Sequence, residues 1–508
     1  MRMTMRTRSI LSIALAAIAL AMWTSMALAG GTLRIGREQD NTTFDPILTI
    51  QNADIWVMDN MNAGLVRVTP DGTKLEPDLA QSWQVSDDGL TYTFKMRDGL
   101  KFSDGSPITV GDVKFSLERL RDRKDSVMGS MYKVLKSIDT PDDKTVVIKL
   151  NEPSSPFLST LAMFAASVVP EKAVKGAGDD FGSKPVGAGA FKLEEWKRGD
   201  RVRLVRNPNY WENNRVKLDG VEWQYIPNDN TRILKLQAGE IDAAIFIPFS
   251  QIDTLAKDPN IQIHLDPSSR EDHLLINHAH KPLDDVRVRR ALAMAIDRES
   301  IVKTVLFGHG KVANSFIPGG ALYYNPENKT YPYDPNAAKA LLDEAGVKNL
   351  SLKLLIAAGN SIDDQVSVLI KDQLGKVGVN VNIEKQEQGQ QWDSTVAGEY
   401  DLSTNYWTND IIDPDEKATF SVYGDPDNRS YYTNYKNPKV TELVEQGRHE
   451  PNPDKRKEIY YEIQKIVAED VHWIDLYYSP FRNASRKNVS GFYQNPTGRF
   501  MLEDASIQ

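Results

Sequence analysis

Apolar and polar residues alternate along several stretches of the chain and recur at helical spacing along others. After the turn Ser86-Asp87-Asp88-Gly89, the residues Leu90, Tyr92, Phe94 and Met96 alternate with polar neighbours, and Val146, Ile148 and Leu150 repeat the pattern. Both predict half-buried strands, because successive side chains of a strand point to opposite faces. Leu33 with Ile35, Val202 with Leu204, and Val379, Val381 and Ile383 predict further strands. Ile55, Met58, Met61 and Leu65 instead follow helical spacing. Thr109 opens a helix that runs through Leu120. Leu234 to Ile245 reads as a short helix running into a strand around Gly239.

The helices of the later chain carry start and stop signals. Asp285 caps one whose stripe is Val288, Ala291, Leu292, Ala295 and Ile296, with arginines on the exposed face. Asp334-Pro335 starts another, with Leu341, Leu342 and Ala345 inside and Gly346 as the stop. Ser361 and Asp364 form a start resembling a capping box, ahead of Val366, Leu369, Ile370 and Leu374. Asp454 caps a last long helix with Ile459, Ile463, Ile466 and Val467 on its buried side. The order of elements is a short strand and helix, an α+β block over about 66–180, strands again from Pro185, and an α/β block over about 270–480. Strand, helix, strand order in the last block implies a mixed or parallel sheet. Gly187-Ala188-Gly189 is not a dinucleotide fingerprint, since its spacing is wrong and no βαβ unit follows.

The first residues break this pattern. Arg2, Arg6 and Arg8 precede an apolar run from Ile10 to Trp23, and Ala27-Leu28-Ala29 gives a small-x-small site. This is the form of a secretory signal peptide over 1–29, cleaved after Ala29. Its alternative is an uncleaved anchor, for which the run is short. A length of 508 residues calls for two or three domains. Removing 1–29 takes away three Arg and no acids, leaving 58 basic and 70 acidic residues, a net charge of −12. That balance argues against nucleic acid and anionic lipid surfaces. The absence of cysteine excludes a lipid-modified N-terminal Cys, so the expected location is the bacterial periplasm, with secretion to the medium as the alternative.

The candidate chemistry lies in Tyr406 to Asp415, YWTNDIIDPD. An indole face beside a carboxylate suits an amine-bearing ligand: Asp410 pairs with the ammonium and Trp407 adds a cation–π or packing contact. The same residues also suit a plain turn leading into Asp413-Pro414.

Several stretches together resemble the peptide and nickel (oligopeptide/dipeptide-binding) family of bacterial extracellular solute-binding proteins, which serve ABC importers. They are PDGTKLEPDLAQSWQVSDDGLTYTFKMRDGLKFSDGSPITVGDVKFSLER (70–119), PVGAGAFKLEEWKRGD (185–200), NPNYW (207–211), LDDVRVRRALAMAIDRESIV (283–302), YDPNAAKALLDEAG (333–346) and the 406–415 run. The resemblance implies an α/β, periplasmic binding protein-like two-lobed fold with an extra α+β subdomain and a ligand cleft between the lobes. It places the first lobe at 30–65, 183–268 and 480–508, the subdomain at 66–182 and the second lobe at 269–479. It implies capture of a small peptide or amine-bearing solute, delivery to an inner-membrane ABC permease complex, and a monomer with no cofactor, no resident metal and no catalytic residue. By the same resemblance Asp410 meets the ligand ammonium, with Trp407 and Asn409 beside it. The stretch Ile50, Gln51, Asn52 offers backbone groups to the ligand as an added strand would.

One departure narrows the ligand. Dipeptide-binding members carry an Arg in an early strand of the second lobe. The matching stretch here, Leu355 to Gly359, has none. A longer peptide, or an amine lacking that carboxylate, fits better than a free dipeptide. Two other classes stay open on the same fold. His278 and His280 share a face if they lie on a strand, which would suit a metal chelate. The 9 Trp and 19 Tyr would suit an oligosaccharide. Hydrolysis is the least favoured reading, because no G-x-S-x-G, H-E-x-x-H or P-loop pattern occurs.

Overall fold

Two mixed β-sheets organise the computed structural model, which describes residues 30–424 and 429–508. The expected signal peptide at 1–29 lies outside the described residues. The first sheet has seven strands in the order Ile261–Asp266, Phe481–Arg486, Ala243–Ala244, Thr32–Arg37, Gly220–Tyr225, Arg201–Arg206 and Phe191–Lys197. Thr32–Arg37 runs parallel to both of its neighbours, and the outer pairs are antiparallel. The second sheet has six strands in the order Lys311–Val312, Trp473–Tyr478, Glu271–Ile276, Leu402–Trp407, Ser351–Ala357 and Asn380–Gln386. Glu271–Ile276 is buried along its whole length, as a strand covered on both faces must be.

The chain leaves the first sheet between Asp266 and Glu271 and returns between Tyr478 and Phe481. Register shows which edges these crossings join. In the first sheet Arg37, Ala244, Phe481 and Asp266 lie at one edge, the carboxyl ends of its parallel strands. In the second, Ala357, Gln386, Trp407, Glu271 and Tyr478 lie at the corresponding edge. Both crossings therefore connect the edges at which open α/β sheets bind ligands.

A separate four-stranded antiparallel sheet, Ala80–Val85, Thr91–Met96, Thr145–Leu150 and Leu135–Asp142, forms within the α+β block. Helix Val110–Asp122 follows it, closed at its start by a capping box between Thr109 and Asp112. This block shares one apolar core with the first sheet, through Phe94, Phe102 and Ile148 on one side and Leu33, Val202 and Trp223 on the other. It also reaches the far part of the chain: Ser155 donates from its N–H to Arg448 O at 2.9 Å and from its hydroxyl to Glu450 O at 2.7 Å.

Several expectations change in detail. The helix expected through Leu65 ends at Met61, and Leu65 packs beyond it. The long helix Pro453–Asp470 is capped by Asn452, whose oxygen accepts from Asp454 and Lys455, because Pro453 occupies the first helical position and needs no N–H partner there. Helix Ser361–Lys376 is likewise capped one residue earlier than expected, by Asn360. Arg289 does not lie on an exposed face. It is 6 % exposed and donates to the carbonyls of Leu283, Asp470 and Val471, satisfying the end of the long helix. Gly187 and Gly189 serve close approach: a Cβ at either would lie 2.2 or 2.5 Å from the backbone of Met61.

Candidate ligand cleft

Strand Leu402–Trp407 delivers the segment 408–416 to the cleft edge, and four buried charges then fix that segment. Arg456 grips Asp413 with two nitrogens, at 2.5 and 2.8 Å. Arg448 approaches Asp415 at 3.4 Å. Asp413 also accepts from the Asp415 N–H at 2.9 Å, which starts helix Asp415–Ser421. Glu416, fully buried, accepts the N–H groups of Asp410 and Ile411 at 3.0 and 3.3 Å. The loop is thus held by Asp413, Asp415 and Glu416, all of them buried.

Asp410 has no basic residue bonded to it among the described residues. Its carboxyl shares a hydrogen bond with Glu416, and burial pushes its pKa up to about 6. Glu416 is raised well above the usual range by burial and by Asp410. Two carboxyls so placed hold a proton between them, since both cannot ionise cheaply at contact. Across the cleft, Asp59 of helix Asn52–Met61 is also raised to about 6, first by burial, with Asp410 adding to it. Arg499 acts on both acids from a distance: its Nε lies 3.9 Å from Asp59, while Nη2 donates to Ala162 O at 2.7 Å. A polar cavity of about 70 Å³ adjoins Asp59 and Arg499 and is lined also by Asn60, Arg67 and Glu503.

The buried atoms left without partners here are mostly acceptors, among them Asp59 Oδ2 and Asn409 Oδ1. An ammonium brings three N–H donors and no acceptor, so it fits such a set. Trp407 Nε1 is the exception, a donor without a partner. The Trp407 ring packs against Tyr431 and Phe420, with centroids 5.1 and 5.8 Å away, and forms part of an aromatic wall on the second sheet. The Asn409 N–H donates to Ser269 Oγ at 3.0 Å, which ties the loop to the first crossing.

Of the stretch Ile50 to Asn52, Gln51 is extended, at φ -77 and ψ 122, and the helix takes over at Asn52. Asn52 begins helix Asn52–Met61, and the Gln51 carbonyl accepts from Asp54 and Ile55. The Gln51 N–H donates to Thr49 Oγ1 at 2.9 Å, so both backbone groups of Gln51 are spent on the helix start. Ile50 is 46 % exposed. The same helix nonetheless reaches the site, because Asp59 stands two turns after Asn52 on the same face. His278 and His280 lie past the end of their strand rather than on it. His278 Nε2 bonds to His472 O at 2.8 Å and His280 Nδ1 to Asp401 at 2.9 Å, so the two are engaged separately.

Sequence reasoning missed Asp59, Glu416 and Arg499. One signal was available for Asp59, an acid one turn after Ile55 on the stripe that runs to Met58. Nothing local marks Arg499.

The family match covers residues 74–429 and is to the bacterial extracellular solute-binding proteins, family 5. The chain belongs to this family. It is similar to a probable D,D-dipeptide-binding periplasmic protein of Escherichia coli K12, at 33% identity over 91% of this chain and 92% of the relative. It is 30% identical to the glutathione-binding protein of the same strain, over 97% of each chain. Among solved structures, a Helicobacter pylori periplasmic binding protein in complex with the peptide STSA superposes with a TM-score of 0.85. That match has 27% identity and covers 94% of this chain and 98% of the other. Solute-binding proteins of this kind are not enzymes, and the two-lobed periplasmic binding protein fold expected from the resemblance is the fold found. Among the described residues no helix is long and apolar enough to cross a membrane.

Proposed function

We propose that this chain captures a peptide, or a related amine-bearing solute, between its two sheets and delivers it to an inner-membrane ABC importer. The observation that carries this reading is Asp410, a half-buried carboxyl just past strand Leu402–Trp407, beside acceptors that lack donors. A ligand ammonium would take the proton-sharing pair's place for a counter-charge and supply the missing N–H groups. Asn409 and the Trp407 wall would line the same end. Ile50, Gln51 and Asn52 would meet the ligand from the start of helix Asn52–Met61, with Ile50 offering the backbone groups ahead of it. Relatives named for a D,D-dipeptide and for glutathione support a small peptide-type solute.

The first lobe would be 30–65, 183–268 and 480–508, the subdomain 66–182 and the second lobe 269–479. Each division falls where the chain passes from one sheet to another. The mature protein would begin at Gly30, act as a monomer and work in the periplasm.

Native mass spectrometry of protein from a periplasmic extract tests the reading directly. A co-purified solute with the mass of a peptide, and an N-terminus at Gly30, are expected. A bound sugar or metal chelate would replace the peptide reading. Calorimetry with Ala-Ala-Ala and its N-acetyl form tests the amine: acetylation is expected to abolish measurable binding.

A further inference from the structure

The cleft edge of the first sheet holds an arginine with nothing to bind. Arg482 opens strand Phe481–Arg486 just after the second crossing and is 8 % exposed. Among the described residues its guanidinium makes no hydrogen bond and has no carboxylate oxygen within 4.0 Å, and its Nε is buried without a partner. The other buried arginines, Arg37, Arg232, Arg289 and Arg456, all donate to carbonyl or carboxylate oxygens. A guanidinium presents five donors in a rigid fork, and leaving them unmet in a buried place is costly.

The surroundings hold this fork in position rather than satisfy it. Its Cζ lies 4.5 Å from the Phe249 ring centroid and 5.5 Å from that of Phe246. Phe246 adopts a left-handed backbone with φ 51, uncommon for a bulky residue, and its N–H donates to Asn483 at 3.2 Å. Burial pulls the Arg482 pKa down to about 10, and Arg270 at the first crossing repels it further. Arg270 itself is paired with Asp272 at 2.6 Å. Glu38 and Asp272 act on Arg482 from farther away, and the closest arginine nitrogen to Glu38 belongs to Arg232, at 4.0 Å.

We propose that Arg482 is the anion end of the cleft and takes a ligand carboxylate in its open fork. The inference rests on the amine-bearing reading and sharpens it: the solute is a zwitterion, with its ammonium at Asp410 and its carboxylate at Arg482. A monoanion is favoured over a phosphate dianion, because Glu38 and Asp272 oppose a second negative charge.

The test is calorimetry with two probes, Ala-Ala-Ala and glutathione. Each is used as the free acid, as the C-terminal amide and as the N-acetyl form, on wild type and on Arg482→Gln, Arg482→Lys and Asp410→Asn. For at least one probe, amidation is expected to weaken wild-type binding by roughly 30-fold or more, the effect of unpairing one member of a buried charge pair. Arg482→Gln should bind acid and amide within about threefold of each other, and Arg482→Lys should fall between. The ligand-free Arg482→Gln protein should melt no lower than wild type, since no hydrogen bond is lost. Equal binding of acid and amide by wild type would overturn the proposal, even if acetylation and Asp410→Asn still weaken binding and the amine reading stands. Discrimination retained by Arg482→Gln, or a marked fall in its melting temperature, would also overturn it. If amidation matters and acetylation does not, Arg482 keeps its role and the amine reading fails. If neither probe binds wild type in any form, both fall together.

Discussion

Asp413 and Asp410 stand three residues apart in one loop and have opposite fates. Asp413 points into the second lobe, where Arg456 meets both of its oxygens. Asp410 has no arginine bonded to it: its carboxyl shares a hydrogen bond with Glu416, and Arg499 donates to Ala162 O instead. Arginines show the same contrast, Arg456 being paired and Arg482 open. The difference teaches where to look for a ligand. A buried charge with its partner present fixes a loop, and one without a partner keeps an interaction unspent until something binds.

The largest expected effect would break the paired side of that contrast. Arg456→Met leaves Asp413 buried without a counter-charge and should cost about 3–5 kcal/mol of stability. Urea unfolding measures it, and adding Asp413→Asn should restore part of the loss. If Arg456→Met were neutral, the loop would be held by packing alone and the contrast would lose its paired half.

Next in size, Asp410→Asn should weaken binding of an amine-bearing peptide by roughly 10²-fold or more, while the ligand-free protein melts no lower than wild type. Loss of stability without loss of affinity would make Asp410 a turn residue like its neighbours.

The third effect is on pH. Burial raises the Asp410 carboxyl to about 6, so below that pH the ligand-free protein holds a proton there that an ammonium must displace. Affinity should be level above about pH 7 and fall by up to roughly tenfold per unit below about pH 6. In the ligand-free protein the same raised pKa contributes stability that is full below the ordinary carboxylate range and lost as pH rises through about 6. Calorimetry in buffers of different ionisation enthalpy reads the released proton directly. An affinity that does not change between pH 5 and 8 would mean that the pair does not meet the ligand.

The smallest effect lies away from the cleft. Thr109→Ala removes one half of the capping box on Val110–Asp122 and should cost about 1 kcal/mol. Peptide affinity should be unchanged, because the helix belongs to the α+β block. A change in affinity would tie that block to the ligand, through a contact such as Ser155 with Arg448 and Glu450.

Residues 90–96, 146–150, 286–295 and 335–344 take the strands and helices that their apolar spacing predicts, because periodicity is a local property that burial then uses. The motifs of the resemblance likewise carried the family, the two-lobed fold and the absence of enzymatic chemistry. Helix starts were less legible. At 360 and 452 an Asn competed with nearby Ser or Asp for the cap, and only backbone geometry chose between them. At Ile50 to Asn52 likewise, nothing in the residues says that Gln51 will be extended and that the helix will start at Asn52.

The sequence by itself determined the apolar faces, the family and the identity of Asp410 as an acid in an aromatic-lined loop. Tertiary structure decided which charges are paired. Asp59, Asp410, Glu416 and Arg499 come from three places up to 440 residues apart, and Arg482 meets Phe246 and Phe249 across more than 230. Charge pairing falls off over short distances in a screened medium, so only the fold's placement of side chains could show that Asp413 has its arginine while Asp410 and Arg482 have no opposite charge bonded to them among the described residues.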